Sequence, residues 1–596
     1  MSPHEQKPLR TVLVANRGEI AVRVIRAARE AGLRSVAVYA DPDADALHVR
    51  LADEAYALHG SDPGESYLDA SKLLEAARRS GADAVHPGYG FLSESAAFAR
   101  AVAEAGLTWI GPDPETIELL GDKARARTLA AEVGAPLAPG TNDAVADAEE
   151  VLAFADEHGL PVAIKAVHGG GGRGMRVVHE RERIPEAYEA AVREAEAAFG
   201  RGGCLVERFL ERPRHIEAQV LGDRHGRIAV LGTRDCSLQR RNQKLVEEAP
   251  APFLPEELRE RIHRAAADVC GAADYVGAGT VEFLLGEDGM LSFLEVNTRL
   301  QVEHPVTEAT TGVDLVQEQL RVAAGEPLRV PEEVPVFGHA LEFRINAEDP
   351  ALGFLPTPGT LERFDPPAGQ GVRLDSGFTG GQTVPGTFDS LLAKLVIWGR
   401  DREEALARAR RALEEFRIEG VATVLPFDRY VVEDPAFTAA GEAGFAVHTR
   451  WIEDECEADF SAAEAVPDPG GQRLTRLPIE LDGRRMELGL PDALLRRLAG
   501  AGAASGEDGP EGTGGGTEAG GAGEDDGVVR APFAGTLSSW RAEDGEAVEQ
   551  GQTLAVLEAM KMEVPVTAGR AGTLRREAEA GSATTAGQRL GTVEEA

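Results

Sequence analysis

Along the first hundred positions, apolar residues come in short bursts separated by polar turns. Thr11-Val-Leu-Val-Ala15 reads as a buried strand and Asn16-Arg-Gly-Glu19 as the turn after it. Ile20, Val24, Ala27 and Ala28 then mark one face of a helix. Ser35-Val-Ala-Val-Tyr39 supplies a second strand, so the pattern predicts a βαβ unit and a parallel sheet. Farther on, Pro161-Val-Ala-Ile-Lys165 and Met175-Arg-Val-Val178 bracket the loop His168-Gly-Gly-Gly-Gly-Arg-Gly174. Strand, glycine loop, strand predicts a hairpin lid rather than the strand–loop–helix of a Walker P-loop. In Phe293-Leu-Glu-Val-Asn-Thr-Arg-Leu-Gln-Val-Glu303 polar and apolar positions alternate. Glu295, Asn297, Arg299, Gln301 and Glu303 would share one face of an extended chain.

The C-terminal segment repeats itself. Ala534-Gly-Thr-Leu537 returns as Ala571-Gly-Thr-Leu574, and Gly545 with Gly551-Gln-Thr-Leu554 returns as Gly581 with Gly587-Gln-Arg-Leu590. Two copies are too few for a solenoid; they predict two β-halves packed as a sandwich, with glycines at the turns. Upstream, Leu477-Pro-Ile-Glu-Leu481, Asp482-Gly483 and Arg484-Arg-Met-Glu-Leu488 read as another hairpin. Residues 499–527 are Gly-rich and acidic, with almost nothing to bury, and are expected to stay disordered. As a glycine-type coil such a tether has an r.m.s. span of roughly 30 Å.

At 596 residues, the chain is long enough for several domains. Its formal charge of −38 argues against nucleic-acid or anionic-membrane binding, but not against phosphorylated substrates held by local cations and backbone amides. Cys204, Cys236, Cys270 and Cys456 contain no CxxC pair and read as free thiols of a reducing compartment. No apolar stretch is long enough to span a membrane, and a cytoplasmic location is expected.

Lysine usage is the sharpest clue to chemistry. Of the 62 basic residues, 55 are arginine and seven are lysine, at positions 7, 72, 123, 165, 244, 394 and 561. A chain so biased should keep lysine where a guanidinium cannot substitute, as point charge or nucleophilic amine. Lys165 ends the strand before the glycine loop, whose bare N–H groups could approach phosphate oxygens. Lys123 lies in Gly121-Asp-Lys123. Glu282, in Gly279-Thr-Val-Glu-Phe283, adds an acid to the alternating stretch, and such oxygen-donor sets suit Mg²⁺ bound with nucleotide phosphates.

Lys561, in Ala559-Met-Lys-Met562 between the two repeated halves, resembles the attachment lysine of biotinyl domains. Lipoyl carriers share that fold but usually lack the two methionines. The run from Asn16 through His86-Pro-Gly-Tyr-Gly-Phe-Leu-Ser-Glu94 to Gly111-Pro112 resembles the first domain of biotin carboxylases, and the lysines with the glycine lid resemble the ATP-grasp fold. The resemblance covers about residues 10–450 and 528–596. It implies an α/β plus α+β fold class, an ATP-grasp biotin carboxylase body with a C-terminal all-β biotinyl (lipoyl-like) domain. The expected division is an N-terminal α/β domain at 1–110, connecting helices and lid at 111–209, and the remaining ATP-grasp and C-terminal domain at 210–452. A short connecting or docking segment at 453–498, the linker at 499–527 and the carrier at 528–596 follow.

By the same resemblance, Glu282, Glu295 and Asn297 would hold Mg²⁺ (or Mn²⁺) ions on the ATP phosphates. Arg299, Gln301, Val302 and Lys244 would hold bicarbonate, Glu303 would be its general base, and Arg344 would stabilise the biotin enolate. Lys123, Lys165, Gly171, Gly172, Glu207, Leu210, His215 and Gln239 would line the ATP pocket. Asn242 departs from the histidine many family members carry near the ribose, which implies altered nucleotide contacts. Bicarbonate, activated by ATP as carboxyphosphate, would carboxylate biotin on Lys561 for delivery to a carboxyltransferase β subunit that this chain lacks, in a hetero-oligomer. A biotin protein ligase would attach the cofactor. Acetyl-CoA or propionyl-CoA is the expected acceptor, with Asn242 leaning toward the propionyl type. The alternatives are the ATP-dependent subunit of another split biotin-dependent carboxylase such as pyruvate carboxylase, or a catalytically inactive biotin-presenting scaffold. Residues 471–497 are a candidate docking element.

Overall fold

The structure, a computed structural model, describes residues 9–141, 143–166, 175–199, 203–460, 474–481, 484–491, 527–532, 535–559, 562–584 and 587–594. Gly171, Gly172, Lys561 and the linker residues up to 526 lie outside them.

Strands β1 (Thr11–Val14), β2 (Arg34–Tyr39), β3 (Glu54–Ala57), β4 (Ala84–His86) and β5 (Thr108–Trp109) form a sheet in the order β3-β2-β1-β4-β5. Its pairings are parallel, as the βαβ pattern predicts. Helix α1 (Gly18–Glu30) buries Ile20, Val24, Ala27 and Ala28, the apolar face read from the sequence. The Asn16 amide donates to the carbonyls of Pro87 (2.6 Å) and Tyr89 (2.7 Å), tying the end of β1 to the loop after β4. These loops lie where strand order reverses, the usual ligand-facing edge of such a sheet.

The lid sheet is β6 (Val162–Ala166), β7 (Met175–Val178) and β8 (Cys204–Arg208), in the order β7-β6-β8 and antiparallel. The expected hairpin is present as β6 and β7; the glycine loop between them falls outside the described residues.

The largest sheet holds β9 (Arg214–Gly222), β10 (Ile228–Arg240), β11 (Gln243–Ala249), β12 (Gly277–Leu285), β13 (Leu291–Asn297), β14 (His339–Asn346), and strands Leu391–Gly399 and Val372–Ser376. Its order is β13-β12-β9-β10-β11-β14, then Leu391–Gly399 and Val372–Ser376. One continuous sheet therefore joins the ATP-grasp part to the C-terminal part. Helix Arg402–Glu415 covers its C-terminal end through Ala405, Leu406, Ala409, Ala412 and Leu413. Arg241 (φ 49°) and Asn242 (φ 65°) form the two-residue turn between β10 and β11, with Arg240 opposite Gln243. That turn needs left-handed backbone at both positions, which asparagine tolerates unusually well; this gives Asn242 a structural reason independent of any nucleotide.

One expectation is corrected. The alternating stretch is not a single strand: β13 stops at Asn297, and helix His304–Thr311 begins with Pro305 in its first turn. Proline's fixed φ favours a helix start there, so the chain leaves the sheet and 298–303 becomes a connecting turn. Tertiary folding, not strand alternation, gathers Arg299, Gln301 and Glu303.

The carrier is a sandwich of two four-stranded sheets. One has the order Val528–Arg530, Arg589–Glu594, Gly572–Arg576, Ala547–Val548; the other Met562–Thr567, Thr553–Ala559, Gly535–Trp540, Ala583–Thr584. Repeat mates take equivalent places. Leu537 and Leu574 are both fully buried, as are Leu554 and Leu590. Gly545 N–H donates to the Leu574 carbonyl (2.8 Å) while Gly581 N–H donates to that of Leu537 (2.6 Å), so each half closes the other's turn. Strands Thr553–Ala559 and Met562–Thr567 pair with Ala559 opposite Met562, on either side of Lys561 in the sequence. Strands Leu474–Leu481 and Arg484–Pro491 form the predicted upstream hairpin. All four cysteines are free. Among the described residues no helix is long and apolar enough to cross a membrane.

Candidate active site

Four elements converge on one buried carboxylate. Glu303, ahead of helix His304–Thr311, is fully buried; its Oε1 accepts from Lys244 Nζ of β11 (2.6 Å) and its Oε2 from Arg344 of β14 (3.0 Å). Lys244 Nζ also donates to Glu217 of β9 (2.7 Å) and Glu282 of β12 (3.1 Å). Arg344 Nε donates to Glu247 (2.6 Å), and the Cys236 thiol lies 3.8 Å from Glu303 Oε1. Glu282 in turn accepts from Asn297 (2.8 Å) and Gln301 (3.1 Å), while His215 Nε2 stands 3.0 Å from its other oxygen. Arg299 bonds Gln301 (2.9 Å), Asn297 (3.1 Å) and Glu94 (3.0 Å). The structure thus brings Lys244, His215, Glu282, Asn297, Arg299, Gln301, Glu303 and Arg344 into one hydrogen-bonded network.

The other predicted residues flank it. Lys123 opens the helix Lys123–Glu132 and pairs with Glu295 (2.9 Å); Glu295 sits opposite Glu282 in the β12–β13 register but is turned to that lysine. Lys165 bonds Glu207 across the lid strands. Gln239 is buried opposite Lys244, and Leu210 approaches Gly286 so closely that a side chain there would collide with it. The Val302 carbonyl accepts from Lys394 (2.8 Å).

Burial alone would favour neutral groups, and the paired charges overrule it. Burial lifts Glu303, yet Lys244, then Arg344 and Arg234, hold it well below the usual carboxylate range. For Lys244 burial pulls down, but Cys236, Glu217, Glu303 and Glu282 keep the ammonium well above the lysine range. Glu247 goes the other way: burial pushes it up to about 7 against the pull of Arg344. The donor set of Glu282, Glu295 and Asn297 consists of hard oxygen ligands and fits Mg²⁺ in kind. Among the described residues, the groups of three side chains whose ligand atoms gather closely enough to hold a metal ion are His215, Glu217 and Glu282, and Glu217, Cys236 and Glu303.

Sequence reasoning missed Glu217, Arg234, Glu247 and Glu94. Arg234, fully buried, binds Glu217, Gln219 (2.6 Å), Thr280 (3.0 Å) and Thr307 (2.9 Å), locking three strands and a helix beneath the site. The sequence offered little signal: in Arg214-His-Ile-Glu-Ala-Gln-Val220 polar and apolar positions alternate and read as a strand with one solvated face, and only the tertiary structure buries Glu217 and Arg234.

An ATP-grasp body, a buried cation–carboxylate site at its centre and a two-sheet carrier define a class of tethered-cofactor ligase. Family models match in the same order: biotin carboxylase N-terminal domain at 8–117, the ATP binding domain of carbamoyl-phosphate synthase L chain at 122–330, biotin carboxylase C-terminal domain at 342–454 and biotin-requiring enzyme at 527–593. The chain is 56% identical over 601 residues to the biotin-dependent acyl-coenzyme A carboxylase alpha3 subunit of Mycobacterium leprae, covering 100% of each. It is 48% identical to a pyruvate carboxylase subunit of Methanothermobacter thermautotrophicus over 74% of this chain and 89% of that one. The biotin carboxylase domain of Hydrogenobacter thermophilus 2-oxoglutarate carboxylase, solved with MgADP, ADP and bicarbonate, superposes with a TM-score of 0.66 at 47% identity, over 76% of this chain and 98% of that one. The chain belongs to the biotin-dependent carboxylases and joins a biotin carboxylase to a biotin carrier on one polypeptide.

Proposed function

We propose that the network around Glu303 binds bicarbonate and ATP and carboxylates biotin held on Lys561, as one subunit of an acyl-CoA carboxylase. The observation that carries the site reading is Glu303 itself, fully buried between Lys244 and Arg344. Those cations, with Arg299 and Gln301, are the donors a small oxyanion needs. Glu303 is ionised and so able to accept a proton, but its two cations make it a weak base. A bicarbonate that draws Lys244 and Arg344 onto its own oxygens removes that stabilisation and raises the basicity of Glu303. Glu303 then takes the bicarbonate proton, the new oxyanion attacks the γ-phosphoryl group, and the bond to ADP breaks. Lys123 and Lys165, released from Glu295 and Glu207, would offset phosphate charge. Mg²⁺, held by Glu282, Glu295 and Asn297, would supply further positive charge to the polyphosphate. Gly171 and Gly172 would approach the phosphates by backbone N–H, with Leu210, His215 and Gln239 lining the nucleotide pocket. Arg344 would offer its guanidinium to negative charge developing on the acceptor's carbonyl oxygen. Biotin, attached to Lys561 by a biotin protein ligase, would supply the acceptor nitrogen and the moving arm.

The acyl-CoA assignment is supported by where relatives stop. The acyl-CoA carboxylase relative aligns along the whole chain, carrier included, whereas the pyruvate and 2-oxoglutarate carboxylase relatives align over 74% and 72% of it. A separate carboxyltransferase β subunit completes the reaction in a hetero-oligomer, with residues 471–497, of which 474–481 and 484–491 are described as paired strands, a candidate contact. Full-length protein should hydrolyse ATP only with bicarbonate, faster with free biotin, and, with its co-purifying partner, move label from ¹⁴C-bicarbonate to propionyl- or acetyl-CoA. Label on pyruvate instead would reassign the acceptor; no bicarbonate-dependent hydrolysis would reduce the chain to a scaffold.

A further inference from the structure

Lys394 is a lysine to which no role has yet been given, in a chain that spends only seven. It lies on strand Leu391–Gly399, fully buried, opposite Arg344 on one neighbouring strand and Asp375 on the other. Its ammonium donates to the Val302 carbonyl (2.8 Å), stands 3.5 Å from Glu19 of α1 and lies 5.7 Å from the centre of the Tyr89 ring. Glu19 is itself buried, and neither of its carboxylate oxygens has a hydrogen-bond partner within ordinary reach. The N-terminal domain is pressed hard against this place: a Cβ on Gly377 would sit 2.6 Å from the Glu19 nitrogen. Meanwhile the loop after β4 holds the other side of the same turn, through Glu94 to Arg299 (3.0 Å) and to the Thr298 N–H (3.3 Å).

Residues 298–303 have no strand or helix to fix them. Besides the bonds of Gln301 and Glu303 within the site, they are held from the first domain at both ends, by Glu94 on Arg299 and by Glu19 through Lys394 on the Val302 carbonyl. Taking the bicarbonate site as proposed above, we infer that Lys394 is a positioning residue: pinned by Glu19, it holds the Val302–Glu303 peptide plane and so sets the bicarbonate-binding turn. A guanidinium in the same enclosed space would need room for its planar fork, which accounts for lysine here in an arginine-rich chain.

The test uses the full chain and bicarbonate-dependent ATP hydrolysis with free biotin. For Lys394→Met, loss of a charged hydrogen bond to the turn should raise the bicarbonate KM about tenfold while the ATP KM stays within about twofold. Glu19→Gln, which keeps the volume and removes only the charge, should raise the bicarbonate KM about two- to fourfold, again without moving that of ATP. An unchanged bicarbonate KM in folded Lys394→Met overturns the inference, as does an equal rise for both substrates with a lowered Tm. If Lys394→Met does not fold, Glu19→Gln decides alone, and an unchanged bicarbonate KM sinks the idea. Arg299→Ala serves as the reference: should it too leave bicarbonate saturation untouched, the site reading fails rather than the strut.

Discussion

The carrier and the body solve opposite problems with the same chain. In the carrier, the described core is built on apolar side chains and doubled by a repeat, with Leu537, Leu554, Leu574 and Leu590 among them and no charged group buried among the described residues. The lysine proposed to carry its chemistry, Lys561, falls between the two repeated halves in the sequence. In the body, charge fills the interior of the candidate site: Glu303 and Glu217 are fully buried, Glu217 paired with the fully buried Arg234 and Glu303 with Lys244. A buried ion pair is expensive to desolvate and costly to break by removing one partner, so the body trades stability for a set of preorganised charges. The carrier makes no such trade. The lesson is that the carrier's fold rests on apolar packing, whereas the body's interior must also hold charges in register.

The largest effect should come from separating the two. Lys561→Arg should drop ¹⁴C-bicarbonate label on the protein to background, since a guanidinium cannot be acylated by the ligase, while hydrolysis with free biotin stays within about twofold. Persistent label would mean that the carrier is not the acceptor. Next, Glu303→Gln should lower bicarbonate-dependent ATP hydrolysis by about 10²- to 10⁴-fold, with biotinylation of Lys561 unaltered in a streptavidin shift; a milder loss would transfer the base role elsewhere.

Acid should also tell the regions apart. Burial would lift Glu248, but Arg402 and His339 draw it down to about 2 from an ordinary 4.5. Its folded value lies below its unfolded one, so its contribution, about 3 kcal/mol, is present above pH 4.5 and lost as pH falls toward 2. Glu282 and Glu303 are depressed too and lose stability in the same direction. Calorimetry of the full chain should therefore show the body's transition falling steeply below pH 4.5 and the carrier's far less; parallel shifts would erase the contrast. The smallest effect checks the repeat. Gly545 (φ 83°) and Gly581 (φ 86°) have open space where a Cβ would go, so alanine at either should cost the same, about 1–2 kcal/mol of backbone strain. Unequal losses in the carrier transition would show the halves to be energetically distinct.

Legibility followed the same divide. The carrier could be read almost entirely, because its halves share spacing and its turns need glycine in left-handed backbone. The first βαβ unit was legible for a related reason, alternation and helical spacing being local. The site was legible in its residue types but not in its arrangement. Glu295 and Glu282 stand opposite each other in the β12–β13 register, and their pairing with Lys123 and Lys244 is something no sequence spacing encodes. The strand expected to run to Glu303 ends at Asn297, since Pro305 sets a helix start that no alternation pattern encodes. Glu94 closes the loop motif after β4 and Glu247 lies in β11, but what they hold, Arg299 and the Thr298 N–H for one and Arg344 for the other, is fixed only by the fold.

By itself, then, the sequence determined the elements, the repeat and the roster of lysines and carboxylates, because short-range spacing dictates which faces are apolar and composition dictates which amines are exceptional. Only the tertiary structure decided which charges meet. Lys244, Arg344 and Lys394 come from three strands of one sheet, and Glu19 and Glu94 come from another domain; Coulomb attraction acts through space, and the distances that set it exist only once the sheet has closed over α1.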